Sequence, residues 1–319
     1  MWLMHFTLVQ LQYIVAVDTY GSFGKAAEAS FVTQPSLSMQ VKKLEEQMEV
    51  IIFDRTKKPV VATAIGKEII GQARRILNEA SRMQNVLDVH RKEVSGDLKV
   101  GIIPTVAPYL LPLFLPHFQA AFASVHLDIL EMITDDILGD LGKGLVDVGI
   151  LATPLNNMAQ FSSDLLYHEE MMVYHSEGHP FSSKSAIRVE EIDTADLMLL
   201  NEGHCFREQV IHLCGNARGH SGRQYNFQSG SFETIRGILE VNEGVTLLPE
   251  LAAQRLDERR LRNLKRFRER RPVREISLIY RKNFYKSKLI EELAKVIQDS
   301  VVPYLHQANQ QAEIIPVDV

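Results

Sequence analysis

From residue 62 to residue 103 the chain holds no proline, and Ile65, Ile69, Ala73, Ile76, Ala80, Met83 and Leu87 recur at three- or four-residue spacing. That period belongs to an amphipathic helix, and about 30 residues of helix are roughly 45 Å long. A rod of this length cannot bury its stripe against the short segment that precedes it. The pattern predicts a chain divided in two and joined by a linker helix over 63–95, whose apolar face pairs with a second copy. A surface helix packed on its own chain is the competing reading. Ser95-Gly96-Asp97 is the hinge from this helix into the segment that begins at Leu98.

Residues 1–62 read as a small helical unit. Leu8, Leu11 and Val15 share a helical face that Gly21 ends. Lys25-Ala26-Ala27-Glu28-Ala29 is rich in helix formers, and Phe31-Val32 turn the chain. Thr33 caps a third helix, with Pro35 tolerated in its first turn. The stripe Leu37, Val41, Leu44 and Met48 turns Gln34, Ser36, Ser38, Gln40 and Lys42 outward. Small and amide side chains suit hydrogen bonding to base edges in a major groove. Arg55-Thr56-Lys57-Lys58 lies between Ile51-Ile52-Phe53 and Val60-Val61, a hairpin whose basic tip suits phosphates. Six Lys/Arg balance six Asp/Glu here, so a helical cap with a solvated polar face is the alternative. The net charge of -5 adds nothing for nucleic acid, and the DNA reading rests on these local features.

Phe23-Gly24-Lys25-Ala26-Ala27, Thr33-Gln34-Pro35-Ser36-Leu37-Ser38, Lys43-Leu44-Glu45 and Phe53-Asp54-Arg55, in that order, resemble the winged helix-turn-helix of LysR-type transcriptional regulators. The resemblance implies that Gln34, Pro35, Ser36, Ser38 and Arg55 approach operator DNA. Gln40 and Lys42 join them on the outward face. A paired linker helix would set two such units on one duplex.

From Leu98 the pattern is α/β. Leu98–Ile102, Leu127–Leu130 and Val146–Leu151 alternate with helices near Tyr109–Ala121 and Asp136–Lys143, predicting parallel strands with right-handed crossovers. A second such set comes next in Met171–Tyr174, Leu197–Leu200, Tyr225–Phe227 and Val245–Leu248. Ile276–Tyr280 and a helix over Lys286–Asp299 return to the first. The expected fold class is α/β: a winged helix-turn-helix over 1–62, the linker helix, and a two-lobed domain. Lobe I takes 96–168 plus 276–305, and lobe II takes 169–275. This matches the periplasmic-binding-protein-like (type II) sensor domain that the resemblance implies. The tail over 306–319 reads as disordered.

Parallel α/β sheets bind ligands at the carboxyl ends of their strands, where helix N-termini point inward. That rule selects Thr105, Thr134, Gly203-His204-Cys205 and Arg281, each following a strand. With a helix N-terminus and His204 beside it, and Arg207 and Arg281 near, the Cys205 thiol is expected to have a lowered pKa. Cys205 and Cys214 are the chain's only cysteines, a pair open to a thiol switch, a bridge, a metal site or no role. Zinc would need His204, His212 or His220 besides, and the spacing fits no usual zinc motif, so no metal is expected. Thr105 and Thr134 read equally as helix caps, and Cys214 as a small buried hydrophobe. The basic run from Arg259 to Arg271 reads as a solvated face.

Apolar content of 45% and charged content of 24% are those of a globular chain, and no apolar run approaches the ~18 residues of a membrane span. The start lacks the pattern of a signal peptide, so a cytoplasmic, reducing location is expected, where a lasting structural disulfide is disfavoured.

Ile103-Pro104-Thr105-Val106, Pro108-Tyr109-Leu110-Leu111-Pro112, Gly203-His204-Cys205 through Cys214, Gly244-Val245-Thr246-Leu247-Leu248-Pro249 and Tyr280-Arg281 narrow the resemblance to the hydrogen-peroxide-sensing branch of these regulators. It implies a peroxidatic Cys205, oxidised to sulfenic acid, and a resolving Cys214. Thr105, Thr134, His204 and Arg281 would position peroxide and stabilise the departing hydroxide. The implied partners are double-stranded operator DNA, RNA polymerase, hydrogen peroxide as signal, and further copies of the chain as homodimer and homotetramer. Neither a cofactor, a membrane nor enzymatic turnover is expected. A regulator holding a small metabolite in its crevice is the second reading, and a cysteine-dependent enzyme the third.

Overall fold

Side-chain caps start the first three helices of the computed structural model, which describes residues 6–91, 94–156, 158–193, 196–215, 229–282, 284, 287–306 and 312–317. Thr7 caps α1 (Leu8–Tyr20) reciprocally with Gln10, and Gly21 ends it at φ 57°. Ser22 caps α2 (Phe23–Ala29), and Thr33 caps α3 (Gln34–Met48) with Pro35 in the first turn. Phe31, in the turn between them, takes a left-handed φ of 55° and stands exposed. β1 (Phe53–Asp54) pairs antiparallel with β2 (Val61–Ala62) to form the wing. Glu45 fastens this wing to α3, its Oε1 accepting the backbone N–H of Ile52 at 2.9 Å and of Phe53 at 3.2 Å. Leu11, Ile14, Val17, Leu37, Val41, Leu44 and Phe53 close one core.

The long helix is present as α4 (Ala64–Arg91), 28 residues. Its first turns complete that core through Ile70 and Ala73, and Arg74 reaches Asp18 of α1 at 3.0 Å. Further along, Ile76 and Met83 stand exposed. The side chain of Leu87 lies outside the described residues. The chain divides into two units, Met1–Glu93 with Phe284–Lys286, and Val94–Asn283 with Ser287–Val319.

In the second unit β3 (Gly96–Ile102), β4 (Val125–Glu131) and β5 (Val148–Thr153) run parallel in the order β4-β3-β5. α5 (Ala107–Ala121) and α6 (Thr134–Lys143) connect them, as expected. β10 (Arg271–Arg281) then joins β5 antiparallel, and β6 (Phe161–His175) joins β10 antiparallel. β6 pairs with β10 as far as Glu170, and from Met171 with β8 (Val245–Pro249) and β9 (Leu264–Phe267). β7 (Ala186–Ile187) follows β9. One long strand is thus shared by two ladders, the backbone of the two-lobed architecture. The remaining helices are α7 (Cys205–Cys214), α8 (Phe232–Leu239), α9 (Glu250–Ala253), α10 (Glu258–Leu261) and α11 (Ser287–Val301).

Two expectations are corrected. The second strand set is not parallel: β8 and β9 run antiparallel to β6, and Leu197 joins Val245 only in an isolated bridge. Apolar runs report burial and carry no direction. Tyr225–Phe227 lies outside the described residues. The tail, read as disordered, is built into the sheet over 312–317. β11 (Ala312–Ile314) pairs parallel with β10, and Ile315 and Val317 are buried. The basic run is engaged with carboxylates, Arg259 with Glu177 at 2.8 Å and Arg260 with Glu240 at 2.8 Å. Among the described residues no helix is long and apolar enough to cross a membrane.

Candidate functional site

Thr105 stands just beyond β3 and Thr134 opens α6 just beyond β4. Gly203, at φ 87°, turns the chain into His204, and Cys205 is the first residue of α7. The side chains of Thr105, Thr134, His204 and Cys205 are all buried. The cation among them is Arg274, fully buried, which sequence reasoning missed. Its Nε donates to Glu169 at 2.7 Å, its Nη1 to the Thr105 hydroxyl at 3.0 Å and its Nη2 to the Thr105 carbonyl at 2.9 Å. The guanidinium lies over the ring of Phe206 at 5.1 Å, which sets it beside the neighbouring thiol.

Arg281 is not brought to this site. β10 runs against β5, with Tyr280 opposite Val148, so its carboxyl end meets the amino end of β5. Arg281 packs at Gly144, where an added Cβ would stand 3.1 Å from Nη1. Gly144 ends α6, the helix that Thr134 begins, about 15 Å away by helical rise. The carboxyl-end rule holds for parallel strands. On an antiparallel strand the residue near the start reaches the same edge, and here that residue is Arg274. Arg207 is also directed elsewhere, donating to the Leu200 carbonyl at 3.0 Å.

Burial pushes the Cys205 thiol above its ordinary pKa. The Arg274 charge, the Thr134 hydroxyl and the backbone at Ala152 and Phe206 all favour thiolate, yet enclosure outweighs them. The lowered pKa expected from sequence is therefore reversed. Burial alone holds the His204 imidazole below its ordinary value, leaving it neutral at pH 7. The Thr134 hydroxyl is directed at the Cys205 sulfur, while Asn201 Oδ1 is buried with no hydrogen-bond partner among the described residues. Native interiors seldom leave such a group unmatched. A Cβ on Gly230 would stand 2.9 Å from His204 Nε2 and 3.5 Å from Asn201 Oδ1, so this glycine keeps the approach to both open. An open cavity of about 520 Å³ lies here, lined by Pro104, Glu131, Ile133, Asp136, His204 and Gly230 among others.

Cys214 ends α7, half-buried, its thiol pushed up to about 12 by burial. Both cysteines are free. The intact helix holds their Cα atoms about 13 Å apart. Among the described residues no group of three or more His, Cys, Asp or Glu side chains is placed to hold a metal.

In the first unit Gln34, Pro35 and Lys42 stand exposed on α3, with Ser36 and Ser38 half-buried. Gln40 turns partly inward and accepts from Gln10 Nε2 at 3.4 Å. Arg55 reaches back from the wing to Ser38 Oγ at 3.3 Å and Glu45 at 2.9 Å, with its guanidinium 4.7 Å above the Phe23 ring.

Residues 8–67 match the bacterial regulatory helix-turn-helix protein model of the lysR family, and residues 91–301 match the LysR substrate binding domain. The chain is 33% identical over 293 residues to the hydrogen peroxide-inducible genes activator of Haemophilus influenzae, covering 91% of this chain and 96% of that one. It is 31% identical over 304 residues to the DNA-binding transcriptional dual regulator OxyR of Escherichia coli, covering 95% and 98%. Full-length OxyR of Pseudomonas aeruginosa, in a cysteine-to-aspartate variant, superposes with a TM-score of 0.77 at 33% identity, over 92% of this chain and 98% of that one. A hydrogen-peroxide-bound cysteine-to-serine variant of Corynebacterium glutamicum OxyR gives a TM-score of 0.61 at 27% identity, over 95% and 94%. The chain belongs to the LysR family of bacterial regulators, in its OxyR group.

Proposed function

We propose that this protein is a peroxide-responsive transcriptional regulator in which Cys205 reacts and Cys214 resolves. One observation carries the reading. An enclosed thiol stands beside a buried guanidinium and the Thr134 hydroxyl, and the adjoining His204 lines an open crevice. Peroxide enters through that crevice and is received by the Thr134 hydroxyl beside the Cys205 sulfur. The Cys205 sulfur attacks one peroxide oxygen and the O–O bond breaks. Sulfur is oxidised to sulfenic acid, and the thiol proton leaves with the departing hydroxide as water. A thiol that is neutral at rest brings that proton, while the fixed Arg274 charge favours thiolate as it forms. The Cys214 thiol then attacks the sulfenic sulfur and a second water departs, leaving a disulfide. Cα atoms joined by a disulfide lie within about 7 Å, so α7 must come apart. That rearrangement is the signal.

The wider reading is a cytoplasmic activator of antioxidant genes that reads double-stranded operator DNA through α3 and the wing and works with RNA polymerase. The names of the relatives support its DNA binding and its activation of peroxide-inducible genes. The exposed Ile76 and Met83 support a homodimer through α4, and the same resemblance extends it to a homotetramer. The chemistry requires no cofactor, and it is signalling without substrate turnover. In Cys214→Ser, one equivalent of peroxide is expected to accumulate sulfenic acid at Cys205, trapped by dimedone. A variant that traps none removes the reading.

A small metabolite as ligand is favoured by one observation, the volume of the crevice, which exceeds what peroxide needs. Its described lining carries Glu131 and Asp136 and no Lys or Arg, so an anionic metabolite suits it poorly. A rise in Tm of Cys205→Ser with a neutral or cationic metabolite would favour this second reading.

A further inference from the structure

Residues 312–317 have no part in the chemistry above, yet they are fastened at several points. β11 lies along β10 from Arg271 opposite Ala312 to Val273 opposite Ile314. The Ile315 N–H donates to the Val273 carbonyl at 3.0 Å, and the Val317 N–H to the Pro154 carbonyl at 3.2 Å. The side chains of Ile315 and Val317 are each 1% exposed. Glu313 accepts two bonds from the Arg270 guanidinium, and His212 of α7 lies near enough to favour its charge. The decisive contact is between these fixed points. Gln209, wholly buried in the middle of α7, donates from Nε2 to the Ile315 carbonyl at 2.8 Å.

We propose that residues 312–317 are a strap that holds α7 helical in the reduced protein and releases it when Cys214 moves to Cys205. The release rests on the redox reading above, whereas the holding does not. Helices of ten residues are marginal by themselves, so α7 depends on what packs against it. Phe206, Val210 and Leu213 supply apolar burial, and Gln209 supplies a polar group sealed from water. Without the Ile315 carbonyl that amide loses its partner, a cost that falls on the helical form. The strap therefore favours the dithiol state, and weakening it moves the balance toward the disulfide. The strap makes and breaks no covalent bond.

Two variants of the full chain test this: a truncation ending at residue 311, and Gln209→Met, which keeps the volume but removes the donor. Amide hydrogen exchange over α7 in the reduced protein is expected to quicken by about tenfold in both, the effect of losing a buried hydrogen bond and the packing it anchors. With peroxide, disulfide formation is expected to run about tenfold faster. Glutathione buffers would have to be more reducing to restore the thiols. Sulfenic acid formation at Cys205, followed in the Cys214→Ser background, is expected to be unchanged. Unchanged α7 exchange in both variants overturns the strap, as does slower sulfenic acid formation, which would make the tail a support for the reaction site. If the truncation loses its cooperative melt, Gln209→Met decides alone. Should the parent protein form no disulfide, the redox reading falls, while α7 exchange still reports whether the strap holds the helix.

Discussion

Removing the Arg274 guanidinium would leave Glu169 an unpaired carboxylate in the interior, so Arg274→Ala is expected to cost about 3–5 kcal/mol of stability. Arg274→Lys is the sharper test. It keeps a charge but loses the fork that holds Thr105 and Glu169 together. Its oxidation by peroxide is expected to slow by about tenfold or more in stopped-flow fluorescence, by analogy with the loss of one preorganised electrostatic contact. An unchanged rate would remove Arg274 from the chemistry. Gly230→Ala is expected to displace His204 and slow the same reaction with little loss of Tm, since the added methyl crowds only the end of the His204 side chain and meets Asn201 at ordinary contact distance. Cys214 makes a pH prediction. Its folded pKa of about 12 lies above its ordinary 9.0, so the folded state keeps a proton that the unfolded chain gives up. The stability it contributes is present below pH 9 and is lost as pH rises toward 12. Chemical denaturation is expected to show a steeper fall for the parent protein than for Cys214→Ser between about pH 9 and 11. Parallel slopes would contradict this.

Among the elements, the wing and α3 are tied by Arg55, and the tie sets how a substitution there should behave. The Arg55–Glu45 pair is partly exposed, so Arg55→Ala is expected to change stability by no more than about 1 kcal/mol. Operator affinity is expected to fall, and the slope of log affinity against log salt to drop by about one for each phosphate that the protein no longer neutralises. Equal affinity would leave Arg55 a structural residue only. The helices of this unit were legible because caps and apolar spacing are local signals: Thr33, Pro35, Gly21 and the Leu37–Val41–Leu44 stripe state their roles in sequence. The strand ends beyond β3 and β4 were legible too, which singled out Thr105 and Thr134. Strand direction was not. Nothing in Ile276–Tyr280 says that β10 runs against β5, and that single fact exchanges Arg281 for Arg274. The place of β11 was hidden as well, because three residues carry no period and their partner strand lies some forty positions away. The direction of the Cys205 shift depended on complete enclosure, which residue types alone do not report.

For the molecule as a whole, the proposed assembly turns on the long helix. α4 buries Ile70 and Ala73 in its own unit but leaves Ile76 and Met83 in solvent, an apolar stripe that a second copy would cover. Ile76→Asp with Met83→Asp is expected to shift sedimentation toward monomer and weaken operator binding, while each thiol keeps its reactivity. An unchanged oligomer would place the dimer contact elsewhere. With a net charge of -5, bulk electrostatics do not favour DNA, so the proposed dimer would depend on two correctly spaced reading units. Everything in the redox reading converges on one bond across α7. The reduced protein should be treated with one equivalent of hydrogen peroxide, quenched by alkylation, and mapped by peptide mass spectrometry. The expected result is a Cys205–Cys214 disulfide that disappears in Cys205→Ser. Recovery of both cysteines as alkylated thiols would contradict it.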